Sequence, residues 1–241
     1  MKTQNAFFAA ALVLVTAFRI ADAGEPVVET RDIAYSWSID GGYPHTGIPA
    51  VDEKLTDWLV NLVKATMAEA AESYLPDLGY EGHVQSYEAN LRHAVTRPGP
   101  EVVSVVFFAW RHYSLQAHPM TDITTVNLRL CGDELTLDDM FDDPEAALRI
   151  IAKESESTLR KKVREERPEC FEDGESDAFL ADGFEPARDN YENLGLEPDG
   201  VRVYFPLYQV LPYALGIRNV SVTLDKLAPA GPRKDIWPKA G

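Results

Sequence analysis

The sequence lacks most of the residues and motifs that mark enzymes and cofactor-binding proteins. Its 241 residues include only two cysteines and five histidines, and the histidines are not spaced like the ligands of a zinc site. The glycine-rich loops that bind phosphates or dinucleotides do not occur, and neither do the Gly-x-Ser-x-Gly and Ser-x-x-Lys motifs of hydrolases. We therefore predict that the protein binds no metal and no cofactor and is not an enzyme.

Positive charge is also scarce. The chain has 23 Lys and Arg against 39 Asp and Glu, for a net charge of −16 at pH 7. Nucleic acids are not expected as partners, because binding them requires basic side chains that neutralise phosphates. A basic protein would be attracted instead, although solubility alone also explains such a charge.

The acidic residues are too numerous to identify a catalytic pair. Glycoside hydrolysis uses two carboxylates about 5–10 Å apart across a sugar cleft. In a chain with 39 acidic residues, adjacent pairs such as Asp138 and Asp139 arise easily. We interpret them as a solvated acidic surface.

Long hydrophobic runs are missing as well, except for a short one near the N-terminus. Lys2 precedes an apolar run from Phe7 to Val15, and Ala21-Asp22-Ala23 follows it. This order is typical of a secretory signal peptide, and the run is too short for a bilayer, which needs about 20 apolar residues. We predict a cleaved signal peptide over residues 1–23, export to the periplasm or the medium, and no membrane span in the mature chain.

The two cysteines are Cys131 and Cys170. Compartments outside the cytoplasm permit disulfides, and an even count leaves no orphan thiol. A bond between them would stabilise the fold by about 3–4 kcal/mol in the chain-entropy model. We predict a structural disulfide, with a reactive or metal-binding pair as the alternative.

The hydrophobic pattern predicts an α+β domain: a mainly antiparallel sheet packed by two long helices. Asp143 followed by Pro144 predicts a sharp helix start. We expect one domain over residues 24–227 and a C-terminal tail over 228–241 that is partly ordered at most. The predicted strands are 29–40, 84–94, 101–112, 121–130, 200–205 and 220–224, and the predicted helices are 51–74 and 144–167.

One segment near the C-terminus is unusually rich in tyrosine and proline. Residues 203–216 contain three tyrosines and two prolines. Proline stiffens a loop, and tyrosine offers a large contact area at low entropic cost, as in recognition surfaces. The candidate partner-binding residues here are Tyr204, Pro206, Tyr208 and Tyr213; the alternative is that the tyrosines pack at the edge of a sheet.

Several motifs together resemble the RsiV-like domain family, the extracytoplasmic part of the RsiV anti-sigma factor. The closing motif of that family resembles Tyr204-Phe205-x-x-Tyr208-Gln209-Val210-x-Pro212-Tyr213-Ala214-x-Gly216. Upstream, the resemblance extends to Ala117-His118-Pro119, to Leu135-Thr136-Leu137-Asp138-Asp139-Met140-Phe141 and to Tyr43-Pro44. It covers roughly residues 30–227. Leu115 and Gln116 stand where the family has glycines.

The resemblance implies an α+β fold and a non-enzymatic binding role. The best-understood member of the family binds lysozyme directly, and the domain also accompanies peptidoglycan deacetylases. It adds His118 to the candidate partner-binding residues. We therefore expect an exported binding protein of the cell envelope whose partner is a basic protein such as lysozyme. The alternatives are a peptidoglycan- or carbohydrate-acting envelope enzyme or glycan-binding module, and a structural protein of the envelope.

Overall fold

The protein has an α+β fold built around two separate sheets. The computed structural model describes residues 26–31, 35–72, 85–114, 116–168 and 181–239. Within these residues, a five-stranded sheet has the order β1-β2-β3-β4-β5, and a three-stranded sheet has the order β6-β7-β8. The sequence pattern predicts the fold class correctly, but it contains no signal that divides the strands between two sheets.

The five-stranded sheet consists of β1 (Pro26–Arg31), β2 (Tyr35–Gly41), β3 (Gln85–Gly99), β4 (Val102–Tyr113) and β5 (Met120–Arg129). Strands β3, β4 and β5 form an antiparallel meander. Strands β2 and β3 are parallel, which requires a long crossover between them. The sheet is therefore mixed, with one parallel pair among antiparallel ones.

Helix α1 (Pro49–Glu72) covers one face of this sheet. Its buried side chains include Leu55, Leu59 and Val63, which join two core clusters with residues of β2 to β5. Trp58 stacks on Phe107 of β4, with ring centroids 4.0 Å apart. Since side chains alternate along a strand, the helix buries one side of β4 and leaves the other side of that strand free for other contacts.

The three-stranded sheet consists of β6 (Leu194–Glu197), β7 (Gly200–Phe205) and β8 (Arg218–Thr223). Helix α3 (Pro144–Glu166) packs against it, and its buried residues share one core cluster with those of the sheet. The short helices α2 (Leu137–Met140) and α4 (Leu224–Leu227) flank this second layer.

Strand β6 stands against the free face of the larger sheet, and side chains of that sheet satisfy its backbone. Ser104 Oγ accepts a hydrogen bond from Leu196 N at 2.9 Å, and Thr96 Oγ1 donates to Leu196 O at 2.5 Å. Asn127 Nδ2 donates to Leu194 O at 2.8 Å. Because an unpaired edge strand exposes backbone groups that other chains can pair with, these side chains both join the two sheets and protect the edge.

The start of α3 follows the local sequence signal. Asp143 Oδ1 accepts from Ala146 N at 2.9 Å, and Pro144 occupies the first turn. Upstream, Asp139 and Thr136 form a capping box at the start of α2. The two hydrogen bonds from Thr136 lower the pKa of the Asp139 carboxyl. Both helix starts depend on contacts within four residues, which is why the sequence predicts the second so closely.

The C-terminal segment does not form the expected tail. Ile236 and Trp237 are fully buried, and Trp237 Nε1 donates to Glu197 O at 2.8 Å. The Trp237 ring also lies 5.6 Å from that of Phe141, centroid to centroid. The expectation of a partly ordered tail is therefore wrong for residues 228–239, because these side chains complete the core around α3 and the second sheet.

Two other predictions from the sequence concern residues that the structure covers incompletely. Cys131 is an exposed free cysteine whose Sγ lies 3.1 Å from Asp133 Oδ2, and Cys170 lies outside the described residues, so the structure gives no support to the predicted disulfide. Residues 1–23, the predicted signal peptide, also lie outside the described residues. None of the described helices is long and apolar enough to cross a bilayer.

Candidate functional site

Three of the predicted partner-binding residues form one cluster at the surface. The rings of His118 and Tyr213 stack with centroids 3.8 Å apart and planes 24° apart. The Tyr208 hydroxyl and His118 Nε2 share a hydrogen bond of 3.0 Å. The Tyr213 hydroxyl donates to Pro119 O at 2.7 Å. We call His118, Tyr208 and Tyr213 the aromatic cluster.

Two loops far apart in the sequence supply this cluster. His118 lies in the connection between β4 and β5, and the two tyrosines lie in the connection between β7 and β8. Strand β6 bonds to Thr96, Ser104 and Asn127 of the larger sheet, and the chain after β7 reaches the β4–β5 connection, where Tyr213 bonds to Pro119. The ring of Tyr204 on β7 packs against the ring of Phe108 on β4, with centroids 5.8 Å apart and the planes nearly perpendicular.

Tyr208 is the most exposed member and has an unusual backbone. Its side chain is 48% exposed, one of only two large hydrophobic residues so exposed in the described part of the chain. Its φ is +68°, the left-handed region that costs L-residues roughly 1–2 kcal/mol. Strain of this kind persists where surrounding contacts over-determine a conformation. Here the hydrogen bond to His118 and the packing of the following residues hold the exposed ring in place.

The residues that follow Tyr208 are held in place by contacts with residues 182–190. Gln209 Nε2 donates to Gly183 O at 3.2 Å and to Asn190 O at 2.9 Å, and Val210 is buried. Asp182 and Glu185 on the same anchoring segment are exposed. The connection between β7 and β8, residues 206–217, which we call the tyrosine loop, therefore packs on a segment that carries negative charge.

The other two predicted residues play different parts. Tyr204 packs edge-on against Phe108, and burial raises the pKa of its phenol. Pro206 begins the turn that leads to Tyr208, and its carbonyl accepts from Gln209 N at 3.3 Å. Tyr204 therefore packs between the two sheets, on the central strand β7, whereas the alternative from the sequence had the tyrosines packing at the edge of a sheet.

The chemistry of the aromatic cluster suits recognition. The described contacts of His118 are with the rings of Tyr208 and Tyr213 and with the Pro119 carbonyl. No group of three or more His, Cys, Asp or Glu among the described residues could hold a metal ion. A stacked ring pair beside an exposed, rigid tyrosine instead provides contact area with a few hydrogen-bonding groups at its rim.

The strain at Tyr208 gives a direct prediction. We expect Tyr208→Gly to be about 1 kcal/mol more stable than Tyr208→Ala, because both remove the ring but only glycine accepts a positive φ without cost. Denaturant unfolding of the two variants measures the difference. In the matched pair at Val95, an exposed residue inside β3, alanine should be the more stable. Equal stability of the two Tyr208 variants would show that φ relaxes once the ring is gone.

The part of the sequence that contains the two tyrosines of the aromatic cluster is similar to a known protein family. Residues 138–225 match the sequence model of DUF3298, described as a protein family of unknown function. The match includes both tyrosines of the aromatic cluster but covers less than half of the chain. It is therefore a DUF3298 match over that region, and the RsiV-like resemblance itself stays a prediction.

A curated relative and two crystal structures are similar over larger parts of the chain. The peptidoglycan-N-acetylmuramic acid deacetylase PdaC of Bacillus subtilis (strain 168) is 22% identical over 147 residues, which are 61% of this chain but only 30% of that protein. A DUF3298 family protein from Pseudomonas aeruginosa PAO1 superposes with a TM-score of 0.58 at 14% identity, covering 88% of this chain and 95% of the other. A DUF3298 member from Bacteroides fragilis NCTC 9343 gives 0.52 at 15% identity, covering 88% and 94%. At these identities the structures establish the likeness of the fold.

Proposed function

We propose that this protein is an exported, non-enzymatic binding protein of the cell envelope, and that it binds a basic protein such as lysozyme through the aromatic cluster. The observation that carries the proposal is the convergence of His118, Tyr208 and Tyr213 on an exposed, conformationally fixed site. The similarity to a region of a peptidoglycan deacetylase supports a role at the cell envelope. Export and the signal peptide are part of the same proposal.

Charge supports a basic partner. The net charge of −16 attracts cationic proteins over long range, and Asp182 and Glu185 place negative charge beside the tyrosine loop. Rigid tyrosines at the centre of such a surface provide the short-range contacts, because an exposed ring already held in its bound conformation loses little entropy on binding. The same arrangement predicts that the association weakens as salt is added.

Calorimetric titration of the mature protein with lysozyme tests this proposal. We expect measurable binding that weakens between low and moderate salt, and a rise in Kd of about tenfold or more for Tyr208→Ala, as for a central interface residue. Val95→Ala is the matched control, since Val95 is the other large hydrophobic residue of comparable exposure among the described residues, at 42%, and lies on β3. Absence of binding, or equal effects of the two substitutions, would exclude the aromatic cluster as a lysozyme site.

The similarity to PdaC also favours a second candidate, an enzyme or binding module that acts on peptidoglycan. Incubation with purified sacculi separates the two functions. Release of soluble fragments or acetate would indicate an enzyme, and sedimentation of the protein with the sacculi without release would indicate a glycan-binding module. The first proposal expects neither result from the aromatic cluster, so Tyr208→Ala should not alter the outcome.

A further inference from the structure

The free face of the five-stranded sheet carries a second surface that the aromatic cluster does not use. The strand register places Asn90, Trp110 and Thr121 in one row across β3, β4 and β5. The next row contains Arg92, Phe108 and Ile123. Helix α1 covers the opposite side of the sheet. Strand β6 bonds to Thr96, Ser104 and Asn127, which lie beyond the buried Ile123 as seen from Trp110.

This surface is an open concavity with a volume of ≈ 750 Å³, within the range of about 300–1,000 Å³ that is typical of ligand sites. The lining residues are Asn90, Arg92, His93, Phe108, Trp110 and Thr121. Trp110 is at its centre and is partly exposed. Arg92 Nε donates to Asn90 Oδ1 at 3.2 Å, so the two polar side chains on one side of the ring hold each other in place.

Aromatic rings continue along β4 in both directions from Trp110. The Trp110 and His112 rings are nearly parallel, with an interplanar angle of 27° and centroids 6.3 Å apart. Phe108 lies on the other side of Trp110 along the strand, and Tyr204 packs edge-on against Phe108. The three rings of β4 extend over about 13 Å at roughly 3.3 Å per residue. A row of that length suits a chain of rings better than a single small molecule.

The chemistry of the row selects the ligand. A sugar ring has a face of C–H groups, which packs on the negative face of an indole, and an edge of hydroxyls, which bond to amide, guanidinium and hydroxyl side chains. Trp110 with Asn90 and Arg92 on one side and Thr121 on the other presents both elements in register. We propose that this face of the sheet binds a saccharide chain, with Trp110 as the stacking platform.

Other occupants fit less well. An extended peptide adds to the edge of a sheet, and an amphipathic helix lies in a hydrophobic groove. Trp110 instead lies on β4, between two other strands, and is flanked by the polar residues Asn90 and Thr121. Stacked nucleic-acid bases need a basic track along the backbone, but Arg92 is the only Lys or Arg that lines the concavity in the described part of the chain. The residues that line this surface are not those of the aromatic cluster, and the saccharide proposal does not depend on lysozyme binding.

Titration of the mature protein with the hexamer of N-acetylglucosamine, and with cellohexaose as a second probe, tests the site by calorimetry and tryptophan fluorescence. We expect binding of at least one oligosaccharide and a rise in Kd of about tenfold for Trp110→Ala, the upper range of a lost aromatic contact. Trp110→Phe should retain part of the affinity, and Asn90→Ala should weaken binding a few-fold.

Tyr208→Ala is the matched control and should bind the saccharide like the unmodified protein, while Trp110→Ala should still bind lysozyme if the first proposal is correct. Failure of both oligosaccharides to bind at millimolar concentration would overturn the saccharide site, as would unchanged affinity in Trp110→Phe and Asn90→Ala. These two mild substitutions carry the test even if Trp110→Ala does not fold.

Discussion

Replacement of Trp237 by alanine is expected to lower the free energy of unfolding by about 3–5 kcal/mol, the range for deleting a fully buried aromatic side chain. Trp237 is 0% exposed and lies beside Phe141 in the core that α3 shares with the second sheet. Its removal leaves a cavity and also leaves Glu197 O without its indole donor. The expected loss follows from the burial and hydrogen bonding of the residue and not from its position along the chain.

Chemical unfolding followed by circular dichroism measures this effect. Lys234→Ala is the matched control, because Lys234 is exposed in the same segment and its replacement should change stability by less than about 0.5 kcal/mol. Trp237→Phe should fall between the two, since it keeps most of the packing and loses the hydrogen bond. If Trp237→Ala behaved like Lys234→Ala, the C-terminal segment would not be part of the folded core in solution.

Gly183→Ala is expected to destabilise the protein by about 1–3 kcal/mol, the cost of overpacking a filled site. A Cβ at this position would lie 2.7 Å from Val210 Cγ1 and 2.8 Å from the carbonyl carbon of Gln209. Backbone atoms cannot move aside as a flexible side chain can, so the tyrosine loop itself must shift. We therefore expect lysozyme affinity to fall together with stability.

The neighbouring substitution Asp182→Ala is the control for Gly183→Ala. Asp182 is exposed, and the hydrogen bond it accepts from Asn190 uses its backbone carbonyl, so stability should change by less than about 0.5 kcal/mol. Its removal also deletes a negative charge near the aromatic cluster, which should weaken lysozyme binding at low salt only. If Gly183→Ala lowered stability without any loss of lysozyme binding, the position of the tyrosine loop would not depend on its contact with Gly183.

The two proposed sites illustrate different limits of prediction from sequence. The sequence identifies His118, Tyr208 and Tyr213 as candidates, but it does so through a family resemblance and the density of tyrosines, without any indication that they touch. The sequence does not identify Trp110 and Asn90 as candidate binding residues, because aromatic residues in a strand such as β4 are as typical of a buried core as of a binding surface. A polar residue at the matching position of each neighbouring strand becomes visible only once the register is known.

What the sequence by itself determines is local. The hydrophobic period and the Asp143 cap predict helix α3 almost to the residue, and the alternating runs predict the antiparallel meander of β3, β4 and β5, since these signals depend on neighbours a few positions apart. Tertiary structure alone decides that the strands form two sheets, that Trp237 completes a core, and that His118 meets Tyr208 across 90 positions of sequence. These contacts depend on which faces the packed sheets leave free, and such pairing between distant segments leaves no periodic pattern in the chain.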